Sequence, residues 1–435
     1  MRSSKVSFSR QFKRVYYEFT GEKTSSDGGV LLLDKIEKKH RILRDFSSAI
    51  PDYRSPLLVE HTIEKMLKQR VYLMALGYED CDDSDVLRND PVISMFMDKT
   101  LASQPTLSRF ENSISRRTIW KLCNLFISKY VDSIKPGQSE VIIDVDCTDD
   151  PTHGAQQLSF FNGHHEQFMY NELLFIDGQT GQVILPVLRP GNVHTSRWMP
   201  KILGRIVQAI RMKHPYIEII IRADAGFSNP EFFNLAQDKN LEYCLGLRGN
   251  QVLNQMIKEQ YDEVKEQYAN KGLPYQHFTG PFQYQANSWD KPLPVYAKIE
   301  STRLGMNVRF FVSSMGNYDV QGLYTKFYVM RGETCENRIK DIKNYCFSDR
   351  LSCETFWANY FRLMLACLSY ELLRKVKEFI NHTVHEKCYA WSLQSIRLYL
   401  LKIGAYVKVK AKYVLVKLSQ AFVYQDLFND VVLQC

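Results

Sequence analysis

The residues best placed to do chemistry in this chain are acidic side chains at the ends of apolar runs. Ile142–Thr148 reads IIDVDCT, Ile220–Phe227 reads IIRADAGF, and Tyr328–Lys343 reads YVMRGETCENRIKDIK. In a strand, residues two apart share a face, so Asp144 and Asp146 project together and Val145 points the other way. Two carboxylates on one face are costly unless a cation lies between or beside them, and either a metal or an arginine would serve. Asp224 emerges at the carboxyl end of its apolar run, where open sheets place their ligands. Gly226 permits a tight turn beside it. Arg222, two residues earlier on the same face, could instead pair with Asp224. In the third stretch, helical spacing puts Glu333, Glu336, Lys340 and Lys343 on one face, beside an apolar stripe of Tyr328, Cys335, Ile339 and Ile342. Alone, such a face is ordinarily a solvated set of i,i+4 pairs. Two strand carboxylates that need a third ligand give Glu336 a different reading. Asp, Asp and Glu on strand, strand and helix make a cage of hard oxygen ligands for magnesium, and its chemistry is two-metal phosphoryl transfer.

Several elements must position these side chains. Residues 1–140 read as helices after a short basic arm, with Leu57–Leu76 a helix ending at Gly77. Within Leu101–Tyr130, the start at Pro105 and Thr106, followed by Ser108 and Arg109, resembles the second half of a helix-turn-helix, or else a well-capped bundle helix. SIKPGQSE (Ser133–Glu140) has the content of a boundary. From Val141 the pattern turns to strands: Val141–Val145, a hairpin of Leu173–Asp177 and Val183–Leu188, then helix, Ile217–Ile221, helix and Tyr243–Leu247. That order is the one expected of an α/β mixed sheet flanked by helices over 141–250. Residues 251–318 interrupt it with a charged helix and three alternating segments, read as a β-rich insertion. Helical pattern resumes over 319–380, and the C-terminal region 381–435 contains VKVKAKYVLVKL, whose Lys408, Lys410 and Lys412 would share one strand face.

Composition excludes more than it identifies. The net charge of +8 suits phosphate contacts but is shared by many unrelated enzymes. An aromatic content of 13% suits stacking on bases or, equally, a large core. The ten cysteines show no C-x-x-C pair, which argues against zinc and disulfide frameworks and for a reducing cytoplasm. MRSSKVSFSRQFKR is basic without an apolar segment, unlike a secretory signal. The apolar stretch near Leu363–Leu373 is too short and interrupted to span a bilayer. No membrane partner is expected.

Asp146-x-Thr148, the RADAGF segment and Tyr328-x2-Arg331…Glu336-x6-Lys343 resemble the DDE transposases of bacterial insertion sequences, in particular the cut-and-paste group with a Tyr–Arg–Glu–Lys signature. GYEDCDDSDVLRNDP (77–91), ASQPTLSRFEN (102–112), HGAQ (153–156), LRPGN (188–192) and NSW (287–289) narrow the likeness to the thirteen-eighty family over nearly the whole length. Four residues separate Arg331 from Glu336 where the broader signature has three, and MYNELL (169–174) replaces an aromatic-Pro-Leu stretch.

The resemblance implies an RNase H-like catalytic core with Asp146, Asp224 and Glu336 as the triad holding two Mg²⁺ ions, with Mn²⁺ able to substitute. Asp144 is the alternative or supporting carboxylate. Tyr328, Arg331 and Lys343 would contact DNA phosphates, and Arg109 would read DNA from the N-terminal helices. Trp289 would meet a flipped base, or else anchor a sheet. The implied partners are double-stranded DNA, as terminal inverted repeats and target, and a second copy of the chain assembled on it. The implied location is the bacterial cytoplasm, on the nucleoid. Two other readings fit the residues: an RNase H-fold nuclease without strand transfer, and a transposase-derived DNA-binding protein that no longer cuts.

Overall fold

The computed structural model describes residues 7–10, 13–16, 19, 21–97 and 100–435. Much of the basic arm therefore lies outside the described residues.

The N-terminal helices are Val30–His40, Ile42–Ala49, Ile63–Leu76, Gln104–Asn112 and Arg116–Ser133. The third begins later than its apolar pattern predicts. Thr62 caps it by accepting from the Lys65 amide, and Pro56–Leu58 forms a separate 3₁₀ turn. It ends as expected at Gly77, whose φ of 100° suits only a residue without Cβ. These helices gather on the 25-residue helix Phe356–Ile380. Every residue from Ala358 to Leu373 on it is buried, because its apolar residues run around the whole circumference. One polar pair inside this bundle is Arg70 and Glu111: Arg70 Nε donates to the Glu111 carboxylate at 2.7 Å, both essentially without exposure. No helix among the described residues is long and apolar enough to cross a membrane.

The centre is a nine-stranded mixed sheet. Its strands in chain order are β1 (Glu140–Pro151), β2 (Phe160–Asn162), β3 (Gln167–Asp177), β4 (Val183–Pro190), β5 (Glu218–Ala223), β6 (Glu242–Leu247), β7 (Tyr275–Tyr284), β8 (Leu293–Thr302) and β9 (Gly305–Ser313). β3 pairs antiparallel with both β1 and β4, while β1, β5 and β6 run parallel. The order β4-β3-β1-β5-β6 is the RNase H-like arrangement. The β3–β4 turn is built around Asp177, which accepts from the Thr180 amide at 2.6 Å and from the Tyr130 hydroxyl at 2.7 Å, tying the turn to helix Arg116–Ser133. Helices Met199–Lys213 and Pro230–Asp238 supply the crossovers that parallel strands require.

The segment between β6 and the glutamate-bearing helix builds onto the same sheet. β7, β8 and β9 form an antiparallel meander, and β9 pairs with β6 from Phe310↔Leu247 to Ser313↔Cys244. Trp289, in the β7–β8 connection, is 7% exposed and packs edge-on against Phe233 and Tyr284, at 4.8 and 5.4 Å between centroids. The indole is thus packed into the sheet in this structure.

The tail contributes Ala405–Val409 and Val414–Leu418, a hairpin that also pairs with Thr24–Ser25. This corrects the expectation for its lysines. The strand ends at Val409 and the chain turns, with the Lys410 amide donating to the Tyr413 carbonyl at 2.9 Å. Lys408, Lys410 and Lys412 therefore do not share one strand face.

Candidate active site

Register brings the first two acidic segments together. Parallel pairing of β1 with β5 sets Asp144 opposite Arg222 and Val145 opposite Ala223, so Asp146 and Asp224 follow side by side as the strands leave the pairing. Asp224 caps the turn Ala225–Phe227 by accepting from the Gly226 amide at 2.8 Å.

Asp144 and Asp146 reach the same helical segment but are used differently. Asp144 is fully buried and accepts from Arg222 Nε at 2.6 Å and Nη2 at 2.8 Å, and from the Thr334 hydroxyl at 2.6 Å. Arg222 also donates to the Phe327 carbonyl at 2.8 Å. The arginine thus pairs with Asp144, its cross-strand neighbour, rather than with Asp224 on its own strand. The reason is geometric: register partners on neighbouring strands present their side chains to one another. Asp146 is open to a cleft of about 320 Å³ that Thr148, Glu336, Lys340 and Lys343 also line.

The third segment reaches this cleft through an unusual helix. Between Val320 and Cys346 the helical run contains two π-helical segments, Leu323–Tyr328 and Gly332–Glu336, before the regular helix Asn337–Cys346. In the second, the Asn337 amide donates back five residues to the Gly332 carbonyl. The wider turn accommodates the extra residue between Arg331 and Glu336 and leaves both side chains on the same side. Downstream, Cys335, Ile339, Ile342 and Cys346 form the buried stripe.

Arg331 stands between the acids. Its Nη1 lies 2.6 Å from Asp146 Oδ2 and its Nη2 lies 2.9 Å from Glu336 Oε1. Burial pushes the Asp146 carboxyl up to about 6, with Asp224 and Glu336 adding repulsion and Arg331 opposing it. The same carboxylates hold the Arg331 guanidinium above its ordinary value despite burial. Among the described residues, no three His, Cys, Asp or Glu side chains surround one point closely enough to hold a metal ion. The donor set nonetheless fits a hard divalent cation, since it consists of carboxylate oxygens. The guanidinium bridging Asp146 and Glu336 stands in for positive charge where those acids need it.

The flanking residues are held in place. Lys343 Nζ donates to Thr148 Oγ1 at 3.1 Å and to the Asp149 carbonyl at 2.7 Å. Tyr328 stacks on Phe311 of β9 at 5.9 Å, so the inserted strands touch the site directly. Its hydroxyl is pushed up to about 12 by burial, with Asp224 adding to the shift. Gly246 makes room for it: a Cβ there would stand 2.6 Å from the tyrosine oxygen and 2.8 Å from the Ala225 amide. Arg109 is exposed on helix Gln104–Asn112, whose other face packs Phe110 edge-on against Phe361 at 5.4 Å. It is on a different surface from the acids, in a cleft with Asp52, Arg54 and His61. His164 and His165 are exposed residues of the turn between β2 and β3.

Sequence reasoning passed over one buried acid pair. Asp150 continues the period-two face of Asp144, Asp146 and Thr148, and lies diagonal to Glu172 of β3, which is the register partner of Thr148; both acids are fully buried. Neither Asp150 oxygen has a hydrogen-bond partner, and Glu172 has one, the Ser348 hydroxyl at 3.2 Å. Extending the alternation two more residues along β1 would have found Asp150, though not its partner. Burial and mutual repulsion push both carboxyls well up. The folded chain therefore keeps protons that the unfolded chain has released by neutral pH. Stability tied to this pair is complete below about pH 4 and is lost as pH rises through the folded-state values. Asp150→Asn should melt above the unaltered protein at pH 8, with the gap closing towards pH 4.5. A constant gap across a thermal melting series would exclude this coupling.

Fold and site together define a class: an RNase H-like sheet with acidic side chains gathered where two adjacent parallel strands part, beside a helix carrying arginine, glutamate and lysine. The chain belongs to the transposase DDE domain family, group 1, whose model matches residues 8–435. It is accordingly a transposase. Among solved structures, the piggyBac transposase synaptic complex with hairpin DNA is similar at 14% identity and a TM-score of 0.43, over 87% of this chain and 80% of that one. The Mos1 transposase paired-end complex with left transposon end is similar at 13% identity and a TM-score of 0.18, over 51% of this chain and 73% of that one. No curated protein matches the sequence.

Proposed function

We propose that this transposase cuts DNA at the ends of a bacterial insertion sequence and joins the freed 3′-hydroxyls to target DNA, and that it belongs with the thirteen-eighty family on the motifs given above. The observation carrying this reading is the convergence of Asp146, Asp224 and Glu336 on Arg331: two aspartates where neighbouring parallel strands part, and a glutamate that shares the guanidinium with one of them. These three acids would hold two Mg²⁺ ions, which when bound supply an activated water and charge stabilisation on both the attacking and leaving oxygens.

The chain's own residues do the rest. Asp144, neutralised by Arg222, fixes the strand and the helix relative to each other and leaves Asp146 as the acid facing the cleft. Arg331 balances the acids before substrate arrives and, once released from them, offers its fork to a phosphate. Lys343 and Lys340 line the cleft where the DNA backbone would run. Arg109, on its separate surface, would contact the terminal repeat. Processing two ends together calls for a homodimer on DNA, working at the nucleoid.

A precut element end incubated with Mg²⁺ and a supercoiled plasmid tests the reading. Joined products are expected. Hydrolysis without joining would instead make the chain an RNase H-fold nuclease.

A further inference from the structure

Helices Arg116–Ser133 and Met199–Lys213 and strand β4 frame a groove of about 1070 Å³ that the chemistry above does not use. Its walls carry the indoles of Trp120 and Trp198, which are 55% and 41% exposed. Its cations are Arg116, Arg117, Lys201 and Arg205, and no carboxylate lines it. The Arg205 guanidinium lies 3.7 Å from the centre of the Trp120 ring, a stacked cation on an exposed aromatic face.

We propose that this groove binds a single-stranded or unstacked stretch of the DNA substrate, its bases stacking on the indoles and its phosphates meeting the four cations. The proposal rests on the transposase reading. Two physical arguments choose the occupant. A groove with four positive charges and no negative one is complementary to a polyanion, whereas a two-fold contact with a second copy would bring like charges together. Exposed indoles inside an apolar groove need flat apolar faces, which unpaired bases present and an intact duplex keeps stacked. A route to the acids exists as well. The loop after β4 starts at Gly191, packs Thr195 where a Cβ on Gly226 would meet it at 2.9 Å, and ends at Trp198. Buried Arg189 pins it by donating to the Thr195 and Arg197 carbonyls at 2.8 and 2.9 Å. One short, fixed loop therefore spans from the Asp224 turn to the groove.

The test is fluorescence anisotropy of the full chain in EDTA, using a labelled element-end duplex with or without a 3′ single-stranded tail of about ten nucleotides. The tail should tighten binding about tenfold, and Trp120→Ala and the pair Arg116→Ala/Arg117→Ala should each erase that gain without changing blunt-duplex binding. For the arginine pair, the salt slope with tailed DNA should fall by about 2. All three positions are exposed, and melting curves verify folding of each variant. No gain from the tail, or a gain that survives both variants, overturns the groove while blunt-duplex binding keeps the transposase reading. Absence of all DNA binding overturns both. Variants that weaken self-association in sedimentation but leave the tail's gain intact would mark a protein interface and likewise overturn the proposal.

Discussion

Asp224→Asn should abolish both cutting and joining, with a rate loss of at least about 10³-fold, because the metal ions proposed to sit on these acids would supply several kcal/mol of transition-state stabilisation and each 1.4 kcal/mol is a factor of ten. Asp146→Asn and Glu336→Gln should do the same. All three acids adjoin Arg331, and removing a negative charge there weakens repulsion towards DNA, so element-end binding should be kept or slightly tightened. Binding by gel shift, alongside cleavage and strand transfer with Mg²⁺, separates the effects. Near-normal joining by Asp224→Asn would refute catalysis by this triad. Loss of binding and activity together would point to misfolding, which melting curves would expose. Asp144→Asn belongs to another category, since its carboxylate is enclosed by Arg222 and Thr334 and touches no cleft.

Arg222→Met should destabilise the chain by about 3–5 kcal/mol, the usual cost of leaving one partner of a buried ion pair alone. Both partners are buried, at 3% and 0% side-chain exposure, so solvent cannot replace what is lost. The same arginine holds the Phe327 carbonyl and the Thr334 hydroxyl, which tie the π-helical run to β5. The variant should therefore also lose strand transfer beyond what its lower stability explains when assayed well below its melting temperature. Urea denaturation checks the first part. A change under about 1 kcal/mol would mean that the pair does not hold helix to sheet.

Much of this was legible in the residues because period-two and helical patterns report directly on faces. The β3–β4 hairpin, the crossover helices and the end of β5 before Asp224 follow from alternation and punctuation, whereas β1, read as Val141–Val145, runs on past Asp146 to Pro151. The pairing of Arg222 does not, since a sequence shows neighbours along a strand while register decides neighbours across it. For the same reason Asp150 and Glu172, 22 residues apart in sequence, were invisible as a pair. Trp289 shows another limit: a tryptophan in a loop motif looks the same whether it meets a base or, as here, closes on Phe233 and Tyr284. The added strands β7 to β9 were recognisable as strands, but their union with β6 depends on a free sheet edge that no local pattern announces.

The π-helical step at Gly332–Glu336 bears on how such proteins diverge. One residue inserted into a regular helix turns everything beyond it by about 100° and would pull Ile339, Ile342 and Cys346 off the core. A wide turn confines the change to one loop of the spiral, and the buried stripe downstream stays in register. Spacing between the arginine and the glutamate is then free to drift by a residue while their contact survives. Searches that demand a fixed count between those two positions will pass over relatives whose sites are geometrically intact.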